Sequence, residues 1–230
     1  MTSGAFETGK RVSGEDRPET MALMETLATI KLELGDQKRA EALLAPLLLT
    51  RRRVLGEHHP DTMSTMYWIG ELNRRKRNFP ASEQLFTEVL AWQRQSLGER
   101  NKATIRTLVS LGEVQAEQQK YNQAEISLRG AQKRFADSGS DEWNRFDCES
   151  LLGASLAGQK RYEEAEKALL AGYEGLIQRK DAIPKPARSA LVKAEARIIK
   201  LYQDWGKQDK TAEWRRKVQA GGASVNTVPH

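Results

Sequence analysis

Apolar residues recur along this chain at helical spacing, in pairs of segments separated by short polar turns. In one stretch Thr65, Met66, Ile69, Gly70 and Leu72 fall on one helical face. The turn Arg77-Asn78-Phe79-Pro80 follows, and Leu85, Phe86, Val89 and Leu90 resume the helical period. The pattern predicts helix, short turn, helix. Pro18 and Pro60 suit a first helical turn, where a missing N–H costs nothing, and Gly56 and Gly98 suit helix ends.

The same pattern repeats. Ala28, Gly70, Gly112 and Gly153 are small residues stepping by 42, 42 and 41. Ala40, Ser82, Ala124 and Ala165 form a second small series with the same steps, each followed by Glu, and Leu44, Phe86, Leu128 and Leu169 form a third. Three columns in one register are the mark of an internal repeat. The connectors repeat as well: Arg53 to Thr62 lies 42 residues after Arg11 to Thr20, and Leu97-Gly98-Glu99 and Thr104 continue the series. A fifth, weaker unit carries Leu201-Tyr202, Gly206 and Thr211. It comes after an insertion, Asp181 to Pro186, that cannot be helical throughout. The small columns have a steric purpose, since they let paired helices approach closely. Gly70 and Gly112 are therefore expected to accept Ala but not Leu.

These residues resemble the tetratricopeptide repeat: small at the eighth position of a unit, Gly at the fifteenth (Gly35), aromatic at the seventeenth (Phe79, Tyr121, Tyr162) and small at the twentieth. The 42-residue period with Leu55-Gly56-Glu57-His58-His59-Pro60-Asp61-Thr62 is similar to the kinesin-light-chain type of that repeat. The segment from Gly172 through Tyr202 to Arg215 is similar to C-terminal repeat regions of bacterial serine/threonine protein kinases. The eleventh position departs from the pattern, with Lys31, Asn73, Gln115 and Leu156 where an aromatic is usual. The resemblance implies an all-α fold, an α-solenoid of stacked antiparallel hairpins wound into a right-handed superhelix. Residues 1–12 take the place of an incomplete preceding unit, 13–218 hold about five hairpins, and 219–230 read as a disordered tail. The first helix, from about Pro18 to Leu34, is expected to expose apolar surface and to favour self-association through an uncapped end. At the other end Trp214 is expected to serve in a capping helix, and Trp92, Trp143 and Trp205 to pack.

Composition bears on the chemistry. The 230 residues are 39% apolar and 30% charged, which suits a thin helical protein better than a compact one. The 37 Lys and Arg exceed the 31 Asp and Glu by six, but the acids are interspersed throughout. The single cysteine, Cys148, excludes an internal disulfide and a multi-cysteine zinc site, and reads as a buried thiol. His58 and His59 lie in a connector and have no metal-ligand spacing. No phosphate-cradling glycine loop or kinase signature occurs, so neither catalytic residue, metal nor cofactor is expected. No apolar run approaches a membrane span, and the start of the chain lacks the features of a signal peptide; the cytoplasm, or the soluble part of a membrane-linked protein, is the expected place.

The resemblance further implies that the first helix of each unit lines a concave groove. Carried over by position, the groove takes Ser64, Tyr67, Trp68, Glu71, Arg74 and Arg75 from the second unit. It takes Arg106, Val109, Ser110, Glu113, Ala116 and Glu117 from the third. Of these, Tyr67, Trp68, Glu71, Arg74, Arg75, Arg106 and Glu113 are the candidate peptide-binding residues. Residues 67, 71, 74 and 75 share a helical face, and aromatics beside arginine are enriched at binding hot spots. Trp68 as core and Glu71 paired with Arg75 are the structural alternatives. Arg74→Glu with Arg106→Glu is expected to abolish capture of an acidic or C-terminal segment and to spare the fold. The runs Arg51-Arg52-Arg53 and Arg74-Arg75-Lys76-Arg77 read first as solvated helix ends. The function expected is a non-catalytic interaction scaffold, alone or as the regulatory tail of a larger signalling protein. A nucleic-acid-binding helical repeat is the alternative, although the basic residues do not recur at one column.

Overall fold

The computed structural model describes residue 14 and residues 16–137, 142–184 and 187–225. Among these there are ten α-helices and no strand. They pair in chain order: α1 Pro18–Glu33 with α2 Gln37–Leu55, α3 Pro60–Arg75 with α4 Phe79–Ser96, α5 Lys102–Glu117 with α6 Tyr121–Asp137, α7 Trp143–Gly158 with α8 Tyr162–Gln178, and α9 Ser189–Asp204 with α10 Gln208–Val225. The class is the all-α, α-solenoid type of antiparallel helix hairpins. The chain divides into two compact units, Met1–Val114 and Gln115–His230. In the first, α1 packs on α2, α2 on α3 and α3 on α4; in the second, each helix from α6 to α10 packs on the next.

The repeated columns are the core. Ala28, Ala40, Ser82, Ala124 and Ala165 are fully buried, and so are Leu44, Phe86, Leu128 and Leu169. Gly70, Gly112 and Gly153 are buried too. A Cβ on Gly153 would lie 2.6 Å from Leu169 Cγ, and one on Gly70 would lie 2.7 Å from Phe86 Cε1. The tolerance of Ala expected at Gly70 is thus corrected: the Phe86 ring is itself fully enclosed and has nowhere to retreat.

Each hairpin turns in one way. The first helix ends in a Schellman arrangement, with two amide donors folding back on the last turn. At α3 these are Arg77 N to Arg74 O at 3.0 Å and Asn78 N to Asn73 O at 2.9 Å. The residue at the bend has positive φ, and it is Gly35 and Gly206 in two hairpins but Arg77, Gln119 and Lys160, at 61°, 62° and 62°, in the other three. Between hairpins the connector closes with a threonine: Thr62 Oγ1 donates to Gly56 O at 2.8 Å, and Thr104 Oγ1 to Gly98 O at 2.9 Å.

Three features lie off the repeat. The insertion leaves the helix after Gln178 and drives Ile183 into a buried cluster with Leu176, Ala190 and Ala194, against which Trp143 and Phe146 pack. Trp214 on α10 is buried edge-to-face against Tyr173, with centroids 5.1 Å apart, and Trp205 stacks on Tyr162 at 5.5 Å. α10 runs to Val225, past Gln219, where the sequence places a tail. The expected remnant at residues 1–12 lies outside the described residues. On α1, Leu23 is exposed while Met24 and Ile30 are half-buried. Among the described residues no helix is long and apolar enough to cross a membrane.

Candidate peptide-binding face

The face is built on α3 and α5. α3 begins at Pro60, with His59 Nδ1 accepting from Asp61 N at 3.2 Å as its cap. The helical period then brings Tyr67, Glu71 and Arg74 toward the α5 residues Ser110 and Glu113. Tyr67 is only 5% exposed, and its hydroxyl lies 3.1 Å from Ser110 Oγ and 3.5 Å from Glu71 Oε1. Burial, and then the neighbouring Glu71 carboxylate, push the phenol well above its usual titration range, so it stays neutral. Ser110 donates to Glu71 Oε1 at 2.9 Å, and Arg74 donates to Glu71 Oε2 at 3.0 Å while pairing with Glu113 Oε1 at 3.3 Å. Two carboxylates and one guanidinium, all largely buried, thereby cross-link α3 to α5.

Arg106 lies over this network without joining it. Its guanidinium stands 4.4 Å from the Tyr67 ring centroid and 5.7 Å from that of Trp68, and the two rings meet edge-on at 5.2 Å. Arg106 is exposed, and among the described residues no carboxylate pairs with it. Trp68 is half-buried, with its inner side on the cluster of Ala28, Leu32, Ala40, Leu44 and Leu72. Six of the seven candidate residues, Tyr67, Trp68, Glu71, Arg74, Arg106 and Glu113, come together here. Arg75 does not: its guanidinium donates to Leu32 O at the end of α1. Glu71 pairs with Arg74 rather than with Arg75, because Glu113 on α5 holds Arg74 on that side. Arg74 is thus part of the packing. Arg74→Glu would place three carboxylates in one partly buried site, and the expectation that this change spares the fold is corrected.

One repeat earlier the equivalent space is filled differently. Arg51 is 3% exposed, pairs with Glu25 of α1, and donates to Asp61 O and Thr65 Oγ1, each at 2.8 Å. Burial lowers the affinity of its guanidinium for the proton. Of the run Arg51-Arg52-Arg53 only the last two are exposed, paired with Glu57 and Asp16, so the reading of the whole run as solvated is corrected. In the second unit Arg197 of α9 spans to Asp147 of α7 at 2.9 Å and to Ser150 at 3.2 Å. Cys148 is fully buried, and desolvation followed by Asp147 and Glu149 pushes its thiol far above the range of a nucleophile. Among the described residues no three His, Cys, Asp or Glu side chains converge as a metal site.

Sequence and structure comparisons agree with this architecture. Two family models, both described as tetratricopeptide repeat, match residues 61–137 and 20–61, together about half of the chain. Among curated proteins none matches the sequence. Among solved structures, putative kinesin light chain nearly identical TPR-like repeats from Podosopora anserina align at a TM-score of 0.67 and 16% identity, over 92% of this chain and 99% of that one. BtubC (BKLC) from P. vanneervenii aligns at 0.73 and 14%, over 100% and 91%. A Rap protein complexed with competence and sporulation factor aligns at 0.70 and 11%, over 97% and 68%. At such identities the structures speak for the fold.

Proposed function

The chain belongs to the tetratricopeptide-repeat family, and from that premise we propose that it is a non-catalytic scaffold that holds an acidic segment of a protein partner on the α3–α5 face. Arg106 is the anchor for a carboxylate, and Trp68 gives rigid contact area beside it. Tyr67 holds Arg106 by its ring face. Glu71, Arg74, Ser110 and Glu113 fix the spacing of the two helices. The observation that carries the reading is an exposed guanidinium held over two aromatic rings with no carboxylate paired to it, beside a network in which Glu71 and Glu113 both turn to Arg74. The Rap protein of similar fold, solved with a bound factor, is a precedent for ligand binding by such an architecture. Nothing in the geometry favours nucleic acid, since the rings beside Arg106 are buried or half-buried and offer no open stacking platform.

The test is a display selection of random twelve-residue peptides on the whole chain. The reading expects Asp- and Glu-rich peptides whose binding is lost in Arg106→Glu. Selected peptides without acidic residues, or a selection in which no peptide is weakened by Arg106→Glu, would overturn it.

A further inference from the structure

The edge of the first unit where its hairpins turn carries cations that the fold does not require. Four helix ends meet there. Arg75 of α3 donates to Leu32 O of α1, Gln37 Nε2 of α2 donates to Arg75 O at 3.4 Å, and Lys76 reaches Glu41 at 2.8 Å. A cation at the end of α3 is explained by the helix dipole. The dipole gives no such reason for Lys38 and Arg39. They occupy the first turn of α2, the positive end of that helix, where a cation costs stability. The first turns of α4, α6 and α8 carry no cation, and the one in α10, Lys210, is paired with Glu166.

Arg77 costs the fold as well. It occupies the left-handed bend, φ 61°, that the equivalent turns at Gly35 and Gly206 fill with glycine. Its guanidinium lies 5.6 Å from the Phe79 ring. Of the nearby acids, Asp36 is matched to Arg39 at 3.3 Å and Glu41 to Lys76. Among the described residues no carboxylate pairs with Lys38 or Arg77, and Glu33 offsets only one of the surplus charges. Leu34, 73% exposed, lies at the neighbouring turn, beside Gly35.

We infer that this edge is a second docking surface, distinct from the α3–α5 face, for an acidic polypeptide stretch that carries an apolar side chain. Lys38, Arg75 and Arg77 meet its carboxylates and Leu34 meets the apolar residue. An acidic polypeptide fits better than a nucleic acid because the one ring at the edge, Phe79, is half-buried beneath Arg77 and leaves no face for a base.

The probe is a fluorescein-labelled peptide of eight glutamates around a central leucine, followed by anisotropy at about 50 mM salt, where exposed charges act over a longer range. The variant Lys38→Glu with Arg77→Gly is chosen because both changes favour the fold: an acid belongs at a helix N-terminus and glycine at a left-handed bend. Loss of binding would therefore not be loss of structure. The comparison is made with the α3–α5 anchor removed: the expected result is binding by Arg106→Glu, and at least about tenfold weaker binding when Lys38→Glu and Arg77→Gly are added to it. Absence of binding by Arg106→Glu, or equal binding by the triple variant, would overturn the inference, as would tighter binding of a ten-nucleotide single-stranded RNA by Arg106→Glu. Failure of the α3–α5 reading shows separately, when peptides selected on the Lys38→Glu, Arg77→Gly variant bind equally well after Arg106→Glu is added.

Discussion

Two interfaces in the first unit stand one repeat apart and solve the same packing problem in opposite ways. Glu25, Arg51, Ser64 and Thr65 at the α1–α2–α3 junction correspond, 42 residues on, to Tyr67, Gln93, Arg106 and Thr107 at α3–α4–α5. In the first, a buried arginine enters from α2 and is held by Glu25, by Asp61 O and by Thr65. In the second, that arginine is a glutamine. Gln93 Oε1 and Thr107 Oγ1 are buried and without a hydrogen-bond partner among the described residues. A tyrosine ring occupies the place of Glu25, and a cation stands outside on α5, at the place of Ser64. The small residue changes in step: Ala28 faces Leu44, whereas Gly70 faces Phe86. The first interface is a lock around a buried cation, although Arg51 Nε too is buried without a hydrogen-bond partner among the described residues. The second has lost its internal cation and gained an aromatic floor with an arginine on the surface, which is why the binding face is placed there.

The lock is the place to expect the largest effect. Glu25→Ala leaves Arg51 buried without its carboxylate and should cost about 3 kcal/mol in a urea melt. A loss below about 1 kcal/mol would show that the two junctions differ less than their contacts do. Arg74→Glu should cost about 2–3 kcal/mol, since it removes the cation between Glu71 and Glu113 and adds a third carboxylate. Full stability in that variant would return Arg74 to the surface role read from the sequence. Gly70→Ala should cost about 2 kcal/mol by crowding Phe86, and adding Phe86→Leu should recover part of the loss, as the Ala28–Leu44 pair already shows the combination to fit. Strictly additive effects in that cycle would contradict the size exchange. The smallest effect belongs to the turns: Arg77→Gly should stabilise the chain by about 1 kcal/mol or less, relief of the left-handed bend being partly offset by the freer unfolded chain. A lower thermal midpoint would show that Arg77 contributes to the fold.

The repeat was legible because close approach of two helices demands small residues at fixed intervals, and Ala28, Gly70, Gly112 and Gly153 leave that mark whatever surrounds them. The candidate face was legible in part. The helical period groups Tyr67, Glu71 and Arg74, but it also groups Arg75, and sequence spacing alone does not tell i+3 from i+4 pairing when both partners are arginine. Glu113, 39 residues after Arg74 in the chain, decides it. Arg51 was hidden for a similar reason. Three consecutive arginines look solvated, yet successive residues on a helix point about 100° apart, so one of them can turn inward to meet Glu25 from another helix. Ile183 left no periodic signal at all, because it reaches its cluster from an irregular segment that interrupts the repeat.

The central claim is that Arg106 serves a ligand while the charges around it serve the fold. It is tested most directly by measuring one selected acidic peptide against Arg106→Glu, with a urea melt of the same preparation. The account predicts at least about tenfold weaker binding, with stability within about 0.5 kcal/mol of the wild type, as for other exposed positions. Undiminished binding, or a loss of stability comparable to that of Arg74→Glu, would contradict it.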